Sequence, residues 1–185
     1  MLSRKMILKY LEQLGEALAA QGLQGEILLT GGASMCLVHS ARDSTKDIDA
    51  LYEPKDIINR IANKIAEQEN LSAGWLNDSV KGFVGQNVPT EEFIVFKGLR
   101  VYSVSTEYLL AMKLMSARFG EKDFDDIFFL LNKLEITETN QAYDIVLRFF
   151  AKDRILPKTG YIIEEIILQK QTIDKAAIEK LHPKK

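Results

Sequence analysis

Two aspartates separated by one residue, Asp47 and Asp49, follow a pair of glycines, Gly31-Gly32, and the four stand between two short apolar runs. The run Glu26-Ile27-Leu28-Leu29-Thr30 enters the glycines, and Asp47-Ile48-Asp49-Ala50-Leu51-Tyr52 carries the acids. Side chains alternate along an extended chain, so Asp47 and Asp49 share one face while Ile48 turns to the other. Twice the strand rise separates the carboxylates by about 7 Å. Two carboxylates so placed can hold one or two hard divalent cations, and magnesium suits oxygen ligands supplemented by substrate phosphates. Glycines without Cβ atoms let backbone approach a ligand closely. The helix that should start after them offers free N–H groups to phosphate, and Ser34 adds a hydroxyl. A phosphate cradle facing a metal site is what transfer of a nucleotidyl group requires.

Each part has a plainer reading. A Gly-Gly pair is a common turn, and an Asp-x-Asp pair on an exposed strand is often only solvated. The order of the parts argues otherwise, because a strand half-buried in a core should avoid two unpaired carboxylates.

The elements that must position these residues follow from periodicity. Residues 4–20 place Ile7, Leu8, Leu11, Leu14 and Leu18 on one helical stripe. A strand over 26–30, a helix over 33–40, a strand over 47–52 ended by Pro54, and a helix over 56–68 come next. The glycine-rich stretch 74–89 gives no assignable pattern. Residues 93–96 and 99–104 read as a hairpin turned at Lys97-Gly98. From Ser105 onward only helical spacing remains, over 105–119, 123–134, 137–150 and 160–170. The sequence therefore predicts an α+β fold. Residues 1–104 form a small mixed β-sheet flanked by helices, and residues 105–185 form a C-terminal helical region that packs on it and completes the site.

Bulk properties exclude little. The chain has 185 residues, 46% hydrophobic and 27% charged, with a formal net charge of −2. That is a globular composition without the basic excess of a dedicated nucleic-acid binder. Cys36 is the sole cysteine, so neither an internal disulfide nor a cysteine metal cluster can form. It reads as a small buried hydrophobe, His39 as a packing residue, and Trp75 as a core or ligand-edge aromatic. The amphipathic N-terminus is neither a signal peptide nor a membrane span, which predicts a cytoplasmic protein with no membrane association.

The stretch from Gly31-Gly32-Ala33-Ser34 through Arg42-Asp43-Ser44-Thr45-Lys46-Asp47-Ile48-Asp49 resembles the polymerase-β-type nucleotidyltransferase superfamily. It is most similar to the bacterial AbiEii-like and DUF6036-type nucleotidyltransferases. A second block, Tyr108-Leu109-Leu110-Ala111-Met112-Lys113 continuing through Ala117-Arg118 and Lys122-Asp123-Phe124-Asp125-Asp126-Ile127, is also similar to that group, as is Trp75-Leu76-Asn77-Asp78.

The resemblance implies a nucleotidyltransferase-like fold and a Mg²⁺-dependent enzyme that moves a nucleoside monophosphate from an NTP to a hydroxyl acceptor. Gly31, Gly32 and Ser34 would bind the nucleotide phosphates. Asp47 and Asp49 would hold magnesium and activate the attacking hydroxyl. Arg42 and Lys46 would neutralise triphosphate charge at the mouth. Lys113 would contact phosphate, Arg118 would be a further nucleotide contact, and Asp123 or Asp126 would complete the site. Asp123 also suits an N-cap of the following helix, so one or two of the three acids at 123, 125 and 126 suffice for function. The acceptor would be RNA or protein, and the resemblance raises a toxin role with an antitoxin protein as partner. The third strand carboxylate of typical members has no clear match here, and Glu92 is the candidate for it. A non-catalytic nucleotide- or partner-binding module on the same scaffold is the alternative.

Overall fold

The computed structural model describes residues 1–85, 88–117 and 123–181, with side chains described up to residue 173. It comprises two compact units, Met1–Ser105 and Thr106–Lys185.

The first unit opens with β1 (Leu2–Ser3) and α1 (Arg4–Ala19), whose N-terminus is capped by the Ser3 hydroxyl accepting from the Met6 N–H at 3.3 Å. There follow β2 (Gly25–Leu29), α2 (Gly31–Leu37), β3 (Ser44–Thr45), β4 (Ile48–Glu53) and α3 (Lys55–Glu69). β5 (Leu76–Asn77) and the hairpin β6 (Thr90–Phe96) and β7 (Leu99–Val104) complete it. Five strands form a mixed sheet in the order β5-β4-β2-β7-β6, in which β2 pairs antiparallel with β4 and parallel with β7. β4 pairs parallel with the short edge strand β5. Alternation sorts the strand residues cleanly. Ile27, Leu29, Ile48, Ala50, Tyr52, Leu99 and Val101 join the stripe Ile7, Leu11, Leu14 and Leu18 of α1 and Ile58, Ile61 and Ile65 of α3 in one core. Glu26, Leu28, Asp49, Leu51, Glu53, Arg100 and Tyr102 lie on the opposite side and keep some exposure. That second face is the one with room for chemistry.

One contact sets how the hairpin meets this core, and another seats Trp75 in it. Gly98 takes φ +79° at the turn. Its carbonyl oxygen accepts from the Gly25 N–H at 2.9 Å, joining the hairpin turn to the start of β2. Trp75 is buried, donates from Nε1 to the Ala62 carbonyl at 3.0 Å and meets the Tyr10 ring edge-on at 5.5 Å. It is therefore a core aromatic.

The second unit contains α4 (Thr106–Ser116), α5 (Asp123–Lys133), α6 (Thr139–Phe149) and α7 (Pro157–Leu181). A reciprocal capping box between Glu138 and Gln141 starts α6. Tyr108 of α4 packs edge-on against Phe149 and stacks on Phe150. Among the described residues, no helix is long and apolar enough to cross a membrane.

The α+β architecture matches the reading of the sequence, with local differences. α2 begins at Gly31 and ends at Leu37, not over 33–40, and Ser40 with φ +53° cannot continue it. α7 begins at Pro157, because proline suits a first helical turn where no N–H is needed, and runs beyond Lys170. The two-residue strands β1, β3 and β5 are too short for any periodicity.

Candidate active site

The segment between β2 and α2 is tied directly to the acidic strand. Thr30, fully buried, donates from both its backbone N and its Oγ1 to the Asp49 carbonyl oxygen, each at 3.0 Å. The double anchor fixes the glycine turn relative to β4. Gly31 takes φ +51°, and a Cβ there would stand 3.4 Å from Asp49 Oδ2. A Cβ on Gly32 would meet Thr45 Oγ1 at 2.5 Å and an Arg42 guanidinium nitrogen at 3.4 Å. The space that any side chain would fill is thus bounded by an aspartate, a hydroxyl and an arginine. Gly31, Gly32, Arg42 and Asp49 come together as the sequence predicts, and Thr45 joins them without having been anticipated.

Asp47 sits immediately before β4, beside Lys46. Burial pushes its carboxyl above the usual range, the negative charge of Asp49 adds to this, and Lys46 partly offsets it. The sign for stability follows. A carboxyl raised in the folded state favours folding at low pH, and that contribution is lost as pH rises through the folded value. Asp47→Asn should therefore raise the melting temperature at neutral pH in metal-free buffer, and the gain should shrink as the pH falls towards the ordinary carboxylate value of 3.8. A pH series of thermal melts checks it, and a gain independent of pH would contradict the assignment.

Ser34 does not reach this space. Its side chain is fully buried and its hydroxyl meets that of Ser103 on β7. It ties α2 to the sheet and offers no donor to a phosphate in this arrangement. α2 itself has seven residues, so its dipole is short and backbone N–H groups matter more than helix length.

Strand order removes Glu92 from the site. It lies on the edge strand β6, paired with Tyr102 of β7, and β7 and β2 lie between it and β4. Three inter-strand spacings amount to roughly 14 Å. The residue opposite Asp49 on its other side is Asn77 of β5. Ser79 Oγ donates to Asp49 Oδ1 at 3.2 Å and also contacts Asn77 Oδ1. The neighbouring Asp78 is paired with Lys55, whose hydrogen bond holds the Asp78 carboxyl below its usual range.

Along the open sheet face, beyond Asp49, lies a groove of about 320 Å³ lined by Leu28, Leu51 and Tyr102 with Glu26, Glu53 and Thr90. Leu51, which lines it, is the next residue on the Asp49 face of β4. Its apolar floor with polar margins is of the kind that receives a planar or ring-shaped ligand.

The helical unit gathers three more of the predicted residues. Lys113 Nζ lies 2.9 Å from Asp123 Oδ1 and 2.9 Å from Asp126 Oδ2. Lys113 is 9% exposed and Asp126 3%, so the ion cluster is buried on its Asp126 side, while Asp123 keeps partial exposure. Removing the cation from buried carboxylates costs about 3 kcal/mol. Lys113→Met should lower thermal stability accordingly, with Asp126→Asn in the same background recovering part of the loss. Equal melting of Lys113→Met and wild type would show that the cluster holds nothing. Arg118 lies outside the described residues.

A family described as nucleotidyltransferase of unknown function (DUF6036) matches residues 6–145. The chain belongs to this family. Comparison with curated proteins and with solved structures finds no match. The family match runs from α1 into α6 and takes in the glycine turn, the aspartate pair and the Lys113 cluster together. α7 lies beyond it.

For a member of a nucleotidyltransferase family, the donor set around Asp49 bears on which cation would fit. The side chains are hard oxygens, and burial, with the negative charge of Asp49 adding to it, raises the Asp47 carboxyl. Magnesium is bound by one or two carboxylates with waters and substrate phosphates, so the pair fits it. Among the described residues, no group of three or more His, Cys, Asp or Glu side chains stands ready to hold a metal. Cys36 is buried, with its thiol pushed up by that burial, and takes no part. Sequence reasoning missed Thr30, Thr45, Asn77 and Ser79. Asn77 entered only within the Trp75-Leu76-Asn77-Asp78 string of the resemblance, and nothing pointed to Ser79.

Proposed function

We propose that the protein transfers a nucleoside monophosphate from an NTP to a hydroxyl acceptor, RNA or protein, with Mg²⁺ held by Asp47 and Asp49. The observation that carries this reading is the bare Gly31-Gly32 backbone set against the Asp49 carboxylate and Arg42. The phosphates lie on the glycine turn, where Arg42 and Lys46 offset their charge, and the nucleoside extends over Leu28, Leu51 and Tyr102. Magnesium supplies charge neutralisation at the phosphates when bound. The acceptor oxygen bonds to the α-phosphorus as the bond to the bridging oxygen breaks, and pyrophosphate leaves. The hydroxyl proton passes to a carboxylate.

The test is incubation of purified protein with each α-³²P NTP, Mg²⁺ and total bacterial RNA. Label in RNA or in protein supports transfer and identifies the acceptor class. NTP binding without label supports the second reading, a non-catalytic nucleotide- or partner-binding module. What favours that reading is Asn77, an amide in place of an acid, opposite Asp49. A toxin role paired with an antitoxin protein predicts growth arrest on expression in bacteria, relieved by co-expression of a small neighbouring gene. Unchanged growth would set that role aside while leaving transfer open.

A further inference from the structure

The edge strand β5 brings a second set of oxygens to Asp49. Asn77 Nδ2 donates to the Gly74 carbonyl at 3.3 Å, which turns the amide oxygen towards Ser79. That oxygen accepts from the Ser79 backbone N–H at 3.1 Å and also contacts the Ser79 hydroxyl. The same hydroxyl reaches Asp49 Oδ1 at 3.2 Å. Ser79 has one hydroxyl proton and an oxygen on either side of it. A carboxylate oxygen, an amide oxygen and a hydroxyl oxygen therefore converge at a solvent-accessible point. A hard cation satisfies such a group without any further donor. The nearby alternative is closed, because Asp78 is taken by Lys55.

We propose that Asn77 Oδ1 and Ser79 Oγ are part of the cation-binding oxygen set with Asp49, so that neutral oxygens stand where a third carboxylate would otherwise complete the site. The inference rests on the reading of Asp47 and Asp49 as metal ligands. It gives the bare site two negative charges from carboxylates instead of three. Affinity for the free cation is then modest, and the nucleotide phosphates supply the remaining ligands. The protein binds its metal mainly together with its nucleotide.

Mn²⁺ serves as the probe, followed by electron paramagnetic resonance and calorimetry on the full chain, with and without a non-hydrolysable NTP. Wild type should bind Mn²⁺ weakly alone and more tightly with nucleotide. Asn77→Asp should tighten binding of Mn²⁺ alone by about tenfold, and Asn77→Ala and Ser79→Ala should weaken it by about as much. Circular dichroism and melting confirm that each variant folds. A purely structural role for Asn77 and Ser79 predicts wild-type affinity in both Asn77→Ala and Ser79→Ala, and that result overturns the proposal. So does wild-type affinity in Asn77→Asp, whose added charge should tighten binding at a ligand position. If Mn²⁺ binding survives those changes but is lost in Asp49→Asn, the aspartate reading stands and only the β5 contribution fails. If wild type binds no Mn²⁺ even with nucleotide, the aspartate reading fails and takes the proposal with it.

Discussion

Asp49→Asn should leave the protein folded and lower nucleotide transfer by on the order of a thousandfold, the scale of several kcal/mol that metal-assisted charge stabilisation contributes. The side chain keeps its shape, and an amide oxygen still accepts from Ser79 Oγ. The anchor to Thr30 uses the Asp49 backbone carbonyl, which the substitution does not touch. Loss of one negative charge beside Asp47 removes a repulsion, so the melting temperature should hold or rise. The informative readout is this separation: transfer of α-³²P label falls while stability does not. Retention of more than a tenth of wild-type transfer would take Asp49 out of the reacting centre. A parallel fall in melting temperature would instead mark a scaffold residue.

The largest expected loss of stability comes from Gly98→Ala. A Cβ at this position would stand 2.5 Å from the Gly15 carbonyl oxygen, 2.7 Å from the Ala19 nitrogen and 2.9 Å from the Ala19 Cβ. Two of those three atoms are helix backbone and cannot swing aside. The conformation at φ +79° adds a penalty of its own. The contact is reciprocal, since a Cβ on Gly15 would meet the Lys97 carbonyl oxygen at 2.7 Å. α1 and the β6–β7 turn therefore touch backbone to backbone. Prising them apart should cost about 4 kcal/mol, or roughly 10 °C in melting temperature for a chain of this size. Gly22→Ala is the control. Its φ is +69° but nothing lies within 4 Å, so it should lose only about 1 kcal/mol, the conformational part. Calorimetry of the two variants separates crowding from strain, and equal melting would show that the helix yields.

The parts of the site that sequence revealed are those in which neighbours along the chain are neighbours in space. Ile48 and Asp49 announce a half-buried strand by alternation alone, and Pro54 and Gly98 mark its end and the later turn. What stayed hidden depends on strand order and on hydrogen bonds between distant segments. Glu92 looked eligible because it is an acid on a strand, yet β2 and β7 separate that strand from β4. Ser34 follows the glycines closely enough to suggest a phosphate ligand, but the first turn of α2 rotates it into the core against Ser103, far along the chain. Asn77 faces Asp49 because a two-residue edge strand pairs in parallel with β4. No pattern within two residues can announce such a pairing. Lys113 was singled out by resemblance alone. Its partners were named by resemblance, and their convergence on one amine is a matter of helix packing.

β2, which delivers the glycine turn, owes one of its two ladders to β7, and that pairing joins Gly25–Leu29 to Leu99–Val104. A chain being synthesised can bring Asp49 beside Gly31 early, through the antiparallel β2–β4 pair, but the sheet carrying both stays incomplete until Val104 has emerged from the ribosome. Fragments that stop before the hairpin should lack the finished sheet that carries the glycine turn and Asp49.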